Sequence, residues 1–150
     1  MDIYSYLKKD HKKVAKLMEE LLATDNIKER MVLFDNIKHD LLLHAKTEQD
    51  TFYKALEDKK ITKEIIEEAE KEHKEMEKYL KKLSDLEFSS EEWIEQFGEF
   101  KHSVTHHVEE EEKMIFDKAE KVLSSEVAEE LAEKMDDFKK MPKYQKKADA

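Results

Sequence analysis

Apolar side chains recur at three- and four-residue intervals through five stretches of the chain, the period of a helix with one buried face. The first runs from about Asp2 to Ala23 and carries Ile3, Leu7, Val14, Leu17, Met18 and Leu21. The second, about Asn26 to Glu57, carries Met31, Phe34, Ile37, Leu41, Phe52, Ala55 and Leu56. The third, about Thr62 to Ser84, carries Ile66, Ala69, Met76, Leu80 and Leu83. The fourth, about Ser90 to Val122, carries Trp93, Phe97, Phe100, Val104 and Ile115, and the fifth, about Ser125 to Lys140, carries Val127, Leu131, Met135 and Phe138.

The residues between these stretches read as caps. Thr24-Asp25-Asn26 ends one helix and starts the next, Thr62 is placed to cap the third, and Ser124-Ser125 to cap the fifth. Ser89 with Glu92 reads as a capping box, and Pro142 follows the fifth helix. Short connections force neighbouring helices to run antiparallel. The expectation is an all-α fold, a single domain over residues 1–150. It is an up-down-up-down four-helix bundle with a short extra C-terminal helix and a basic, poorly patterned tail that frays.

Composition sharpens this picture. One Gly (Gly98) and one Pro (Pro142) leave too few turns for a sheet. A net charge of −10 argues against nucleic acid, whose phosphates an acidic surface repels. The absence of cysteine excludes disulfides, thiolate metal sites and cysteine catalysis. No apolar run has the length of a membrane span or the form of a signal peptide, so a cytoplasmic protein is expected.

The chemistry lies where polar residues interrupt the apolar stripes. In the second helix the stripe passes from Leu41 to His44 and Glu48 before Phe52; in the fourth it passes from Val104 to His107 and Glu111 before Ile115. A spacing of four puts each His and its Glu on one face, one turn apart. A buried carboxylate is unfavourable unless it is paired or bound to a metal. His73 interrupts the third stripe, with Glu77 one turn on, and His11 lies at the edge of the first, beside Asp10. His39, His102 and His106 fall away from their stripes and read as surface residues. An imidazole and carboxylate set without thiolate suits Fe, Mn or Zn better than Ca or Mg. Six such ligands are too many for one tetrahedral ion, and fit two ions bridged by carboxylates, with Glu48 and Glu111 as the bridges.

The order His11, His44-x-x-x-Glu48, His73, His107-x-x-x-Glu111 resembles the hemerythrin-like, or HHE cation-binding, domain. The flanks Asp10-His11 and Glu72-His73, and an aromatic five residues after each motif glutamate (Tyr53, Phe116), resemble it too. The resemblance spans about Tyr4 to Ala119. It implies a four-helix bundle with two non-haem Fe ions, oxo- or hydroxo- and carboxylate-bridged, that react with O2. By it, His11 and His44 hold one iron, His73 and His107 the other, and Glu48 and Glu111 bridge. Two departures stand out: oxygen-carrying hemerythrins have a second His where this chain has Glu77, and an Asp at a five-residue spacing where it has Glu111 at four. A carboxylate at 77 would make one iron harder and lower its potential.

The expected function is therefore binding of, or response to, O2, NO or peroxide by a di-iron site in a monomer or weak dimer. The alternative is a di-iron oxidoreductase with peroxidase, catalase-like or ferroxidase activity, motivated by Glu77 and the nearby aromatics.

Overall fold

Most of the expected helices begin at a short polar side chain that accepts a backbone N–H. In the computed structural model, which describes residues 1–149, Asp2 caps α1 (Ile3–Ala23) through Ser5, and Asn26 caps α2 through Glu29. α2 is one rod over residues 27–56: Ile27–Glu48, a π-helical turn Gln49–Tyr53, and Lys54–Leu56. α3 covers Lys63–Asp85. α4 spans residues 91–120 in the same manner as α2, with Glu91–Glu110, a π turn Glu111–Ile115, and Phe116–Glu120. α5 covers Ser125–Lys139, capped by Ser124 through Val127.

Two caps differ from expectation. Ser90, rather than Ser89, receives the Trp93 amide at the start of α4. Thr62 precedes α3, but its hydroxyl donates to Leu56 O at 2.6 Å and ties the α2–α3 connection together instead of capping the helix.

α1 to α4 form the antiparallel four-helix bundle, and α5 packs across α1 and α2. The segment expected to fray is helical: α6 covers Pro142–Asp149 and packs along α2. Pro142 suits a first helical position. Tyr144 is buried, stacks on Phe138 at 5.4 Å and donates to Asp50 at 2.6 Å. Ala150 lies outside the described residues. Met31, expected on the core stripe of α2, is exposed, and Arg30 and Leu33 turn inward in its place. The Arg30 guanidinium donates to Phe88 O at 2.7 Å and sits 5.7 Å from the Trp93 ring. Among the described residues no helix is long and apolar enough to cross a membrane.

The interior is split in two. One apolar cluster gathers Met18, Phe34, Ile37, Leu80, Trp93, Phe97 and Phe100. The other gathers Ile3, Leu7, Phe52, Ile66, Ile115 and Met135 at the opposite end. Between them lies a layer of buried histidines and glutamates.

Phe97 is wholly buried and stacks on Trp93 with ring centroids 5.3 Å apart. Phe97→Ala should lower the unfolding free energy by about 3–5 kcal/mol in urea denaturation. Val127→Ala, at a position 36% exposed, should change it by no more than about 0.5 kcal/mol.

Candidate metal centre

The polar layer is built by four helices that each turn one imidazole inward: His11 from α1, His44 from α2, His73 from α3 and His107 from α4. All four are at most 8% exposed, and Glu48 and Glu111 are fully buried. Nε2 of each ring faces the interior. His44 Nε2 lies 3.6 Å and His73 Nε2 3.3 Å from Glu48 Oε1. His11 Nε2 lies 3.2 Å from Glu111 Oε1, and His107 Nε2 3.5 Å from Glu111 Oε2. The donor atoms fall into two groups, each within 4.8 Å: His11, His44, Glu48 and Glu111, and His73, His107, Glu48 and Glu111. The two glutamates belong to both groups.

The outward nitrogens are anchored. His11 Nδ1 donates to Glu112 at 2.7 Å, His44 Nδ1 to Asp10 at 2.8 Å, and His107 Nδ1 to Glu72 at 2.6 Å. The side-chain amide of Gln49 lies 3.0 Å from His73 Nδ1; with its oxygen turned to the ring it accepts that proton. An imidazole that gives its Nδ1 proton to a fixed acceptor presents the Nε2 lone pair inward, which is the arrangement around metal-ligating histidines.

His73 Nε2 and His107 Nε2 lie 3.1 Å apart, but four other inward atoms lack partners of their own. His11 Nε2, both carboxylate oxygens of Glu48 and Glu111 Oε1 are buried with no hydrogen bond. Buried carboxylate oxygens are rarely left so, and a cation among them resolves the deficit, so the donor set fits a metal. Without one, protons compensate. His44 is raised to about 10, burial being outweighed by Glu48 and Asp10. His107 is also raised to about 10, burial being outweighed by Glu111 and Glu72. Burial alone would raise Glu111, but its contacts with His107 and His11 hold it well below the usual carboxylate range.

The structure thus brings together six of the seven candidate residues, His11, His44, Glu48, His73, His107 and Glu111. Glu77 is not among them. The buried row of α3 runs Ala69, His73, Met76, Leu80, and Met76 takes the inward position after His73. That leaves Glu77 exposed, in an outer groove with Lys38, Lys81 and Lys147. His102 and His106 are exposed, as expected; His39 is partly covered and bonded to Asp149 at 2.7 Å.

Tyr53 is a site residue whose role the helical pattern hid. In a continuous α-helix it would sit about 140° round from Glu48. The π turn, closed from i to i+5, brings it towards the glutamate's face. Its hydroxyl donates to Glu111 Oε2 and lies 3.5 Å from His73 Nε2 and 3.4 Å from His107 Nε2. Burial, then the charges of Glu111 and Glu48, push its phenol well above its ordinary value, so it stays protonated. Of the anchors, Asp10 and Glu72 were marked by the flanks Asp10-His11 and Glu72-His73, whereas Gln49 and Glu112 carried no signal beyond adjacency to the motifs.

No curated protein sequence matches this chain. A similar solved structure is the crystal structure of a hemerythrin HHE cation binding domain-containing protein, the Rv2633c homolog from Mycobacterium kansasii. It superposes with a TM-score of 0.85 at 26% identity, covering 97% of this chain and 88% of that one. The sequence profile described as the hemerythrin HHE cation binding domain matches residues 2–119. That span contains every residue of the inward cluster, and the chain belongs to the hemerythrin HHE cation-binding domain family.

Proposed function

We propose that this metal-binding domain is a non-haem di-iron protein that binds or responds to O2, NO or peroxide. The observation that carries the reading is the pair of donor groups sharing Glu48 and Glu111, with every histidine anchored through Nδ1. His11 and His44 would hold one ion, His73 and His107 the other, and the two glutamates would bridge. Iron held there supplies redox chemistry and an affinity for small oxygen- and nitrogen-containing ligands.

The two ends of the centre differ in access. A cavity of about 310 Å³ between α1 and α4 reaches His11 and His44, lined by Val14, Met18, Leu41, Val104 and Val108. Its walls are mostly apolar, with Glu19, Lys101 and Glu109 also lining it, and suit an uncharged diatomic better than a hydrated ion. At the other end Tyr53 fills the space beside His73 and His107.

Tyr53 also favours a second reading, a di-iron oxidoreductase that turns over peroxide in a peroxidase- or catalase-like manner, its electrons coming from a co-substrate or from a second peroxide. A buried, protonated phenol next to one metal position can hold a proton and donate it to a peroxide oxygen. Glu77, exposed on the outer face, lends this reading no support.

Four outcomes test these readings. Anaerobic loading with Fe(II), then O2, should give about two irons per chain, oxo-bridge charge-transfer absorption and a melting temperature that falls on chelation; uptake of a single ion would sink the di-iron assignment. Loading should also be opposed by protons, because His44 and His107 are raised to about 10. Near neutral pH, calorimetry in buffers of different ionisation enthalpy should report release of about two protons per chain, and affinity should weaken as pH falls. The metal-free fold should show the reverse trend. A raised folded-state value contributes stability in full below about 6.5 and loses it as pH climbs through about 10. Finally, Tyr53→Phe should leave iron content unchanged and, on the second reading, slow peroxide turnover by at least about tenfold; an unchanged rate would leave simple binding as the function.

A further inference from the structure

The four anchored histidines are not equivalent. Glu112 and Glu72, which hold His11 and His107, pair with no lysine or arginine among the described residues, and Gln49 beside His73 is neutral. Asp10 alone is shared with a cation: the Asp10 Oδ2 atom that accepts from His44 Nδ1 also accepts from Lys139 Nζ at 2.5 Å.

Lys139 is the last residue of α5, beyond the span matched by the family profile. It is held from several sides. Its Nζ lies 4.6 Å from the centre of the Tyr6 ring, and Tyr6 donates to Asp136, one turn earlier on α5, at 2.9 Å. Its carbonyl accepts from Gln145 of α6 at 2.6 Å. Its side chain is only 17% exposed and Asp10 only 20%. A pair so enclosed is far less screened than an ordinary surface ion pair.

We propose that Lys139 is a positioning residue for the metal centre: it fixes Asp10 on His44 and draws off part of that carboxylate's charge, making the His11–His44 position a weaker metal site than Asp10 alone would make it. Through this ion pair the end of α5 acts on the surroundings of the His11–His44 position. Partners in this shell set both the orientation and the donor strength of a ligating imidazole. A cation on the carboxylate lowers the electron density that Asp10 passes to the ring, and its own field opposes a second positive charge nearby.

This inference rests on the reading of His44 as a metal ligand, and Co(II) separates the two. Stepwise Co(II) titration of the full chain, followed by its visible d–d bands, reports the two positions without any turnover. Lys139→Met should tighten one step by roughly tenfold and leave the other as in wild type; Lys139→Arg should restore the wild-type value. Asp10→Asn should weaken that same step by roughly 10–100-fold. In the metal-free protein, the His44 imidazole nitrogen resonances should shift in Lys139→Met while those of His107 stay in place. A wild-type chain that takes up fewer than two Co(II) would overturn the two-metal reading, and this role with it. Two steps that are both unmoved by Lys139→Met, with only the melting temperature lowered, would overturn this role alone and leave Lys139 as a helix-packing contact.

Discussion

Two carboxylates with no exposure to water sit at the middle of the bundle, and the rest of the molecule is arranged around that constraint. Ionised Glu48 and Glu111 are untenable in an apolar interior without compensating positive charge. Four imidazoles surround them, and each imidazole is in turn fixed from outside by a carboxylate or amide. The apolar core of the bundle consequently divides into two main clusters, beside a small third one of Leu43, Tyr144 and Ala148 under the C-terminal helix. Each main cluster braces one side of the polar layer. Tight packing at Trp93 and Phe97 on one side, and at Phe52 and Ile115 on the other, therefore positions the donors as well as stabilising the fold.

Much of this was legible in the sequence because helical period and burial are tied to each other. Stripe counting separates His107 from its neighbour His106, since adjacent residues lie about 100° apart on a helix, and the structure buries the first and exposes the second. It finds His73 for the same reason. It fails at Glu77, where both His73+3 and His73+4 lie near the inner face and the choice depends on how α3 rolls against its neighbours. Met76 fills the inner position better than a carboxylate does. The C-terminal segment was misread because its stabilising contacts are remote in sequence: Tyr144 with Asp50, and Lys139 with Asp10, pair residues about a hundred positions apart.

The two π turns mark the other limit of a periodic reading. They begin immediately after Glu48 and at Glu111. An α-helix that supplies His and Glu at i and i+4 turns its next residues away from the site. Widening one turn at that point keeps the helix continuous while rotating the following aromatics back. In α2 this puts Phe52 and Tyr53 together in the interior, both fully buried. A regular step sets consecutive side chains about 100° apart, so one of such a pair would sit at the edge of the buried face. The adjacent apolar pair Ile115-Phe116, also buried, is the equivalent in α4. In both helices the buried pair stands four and five residues after the motif glutamate, at the end of the π turn.

The centre is therefore built from similar halves made unequal by their surroundings. Each half offers two imidazoles and shares the same two carboxylates. One half is closed by the Tyr53 hydroxyl and backed by Gln49 and Glu72. The other faces an apolar cavity and is backed by Glu112 and by Asp10, the latter compensated by Lys139. The halves differ in access and in how their outer charge is arranged: a lone Glu72 backs one, and Glu112 with an Asp10–Lys139 pair backs the other. A small neutral ligand would arrive through the cavity at the half whose outer carboxylate is partly neutralised. Such an asymmetry needs no difference in the inner ligands. It arises from a tyrosine rotated inward by a π turn and from a lysine at the end of the fifth helix, neither of which belongs to the His-x-x-x-Glu motifs that first mark the site.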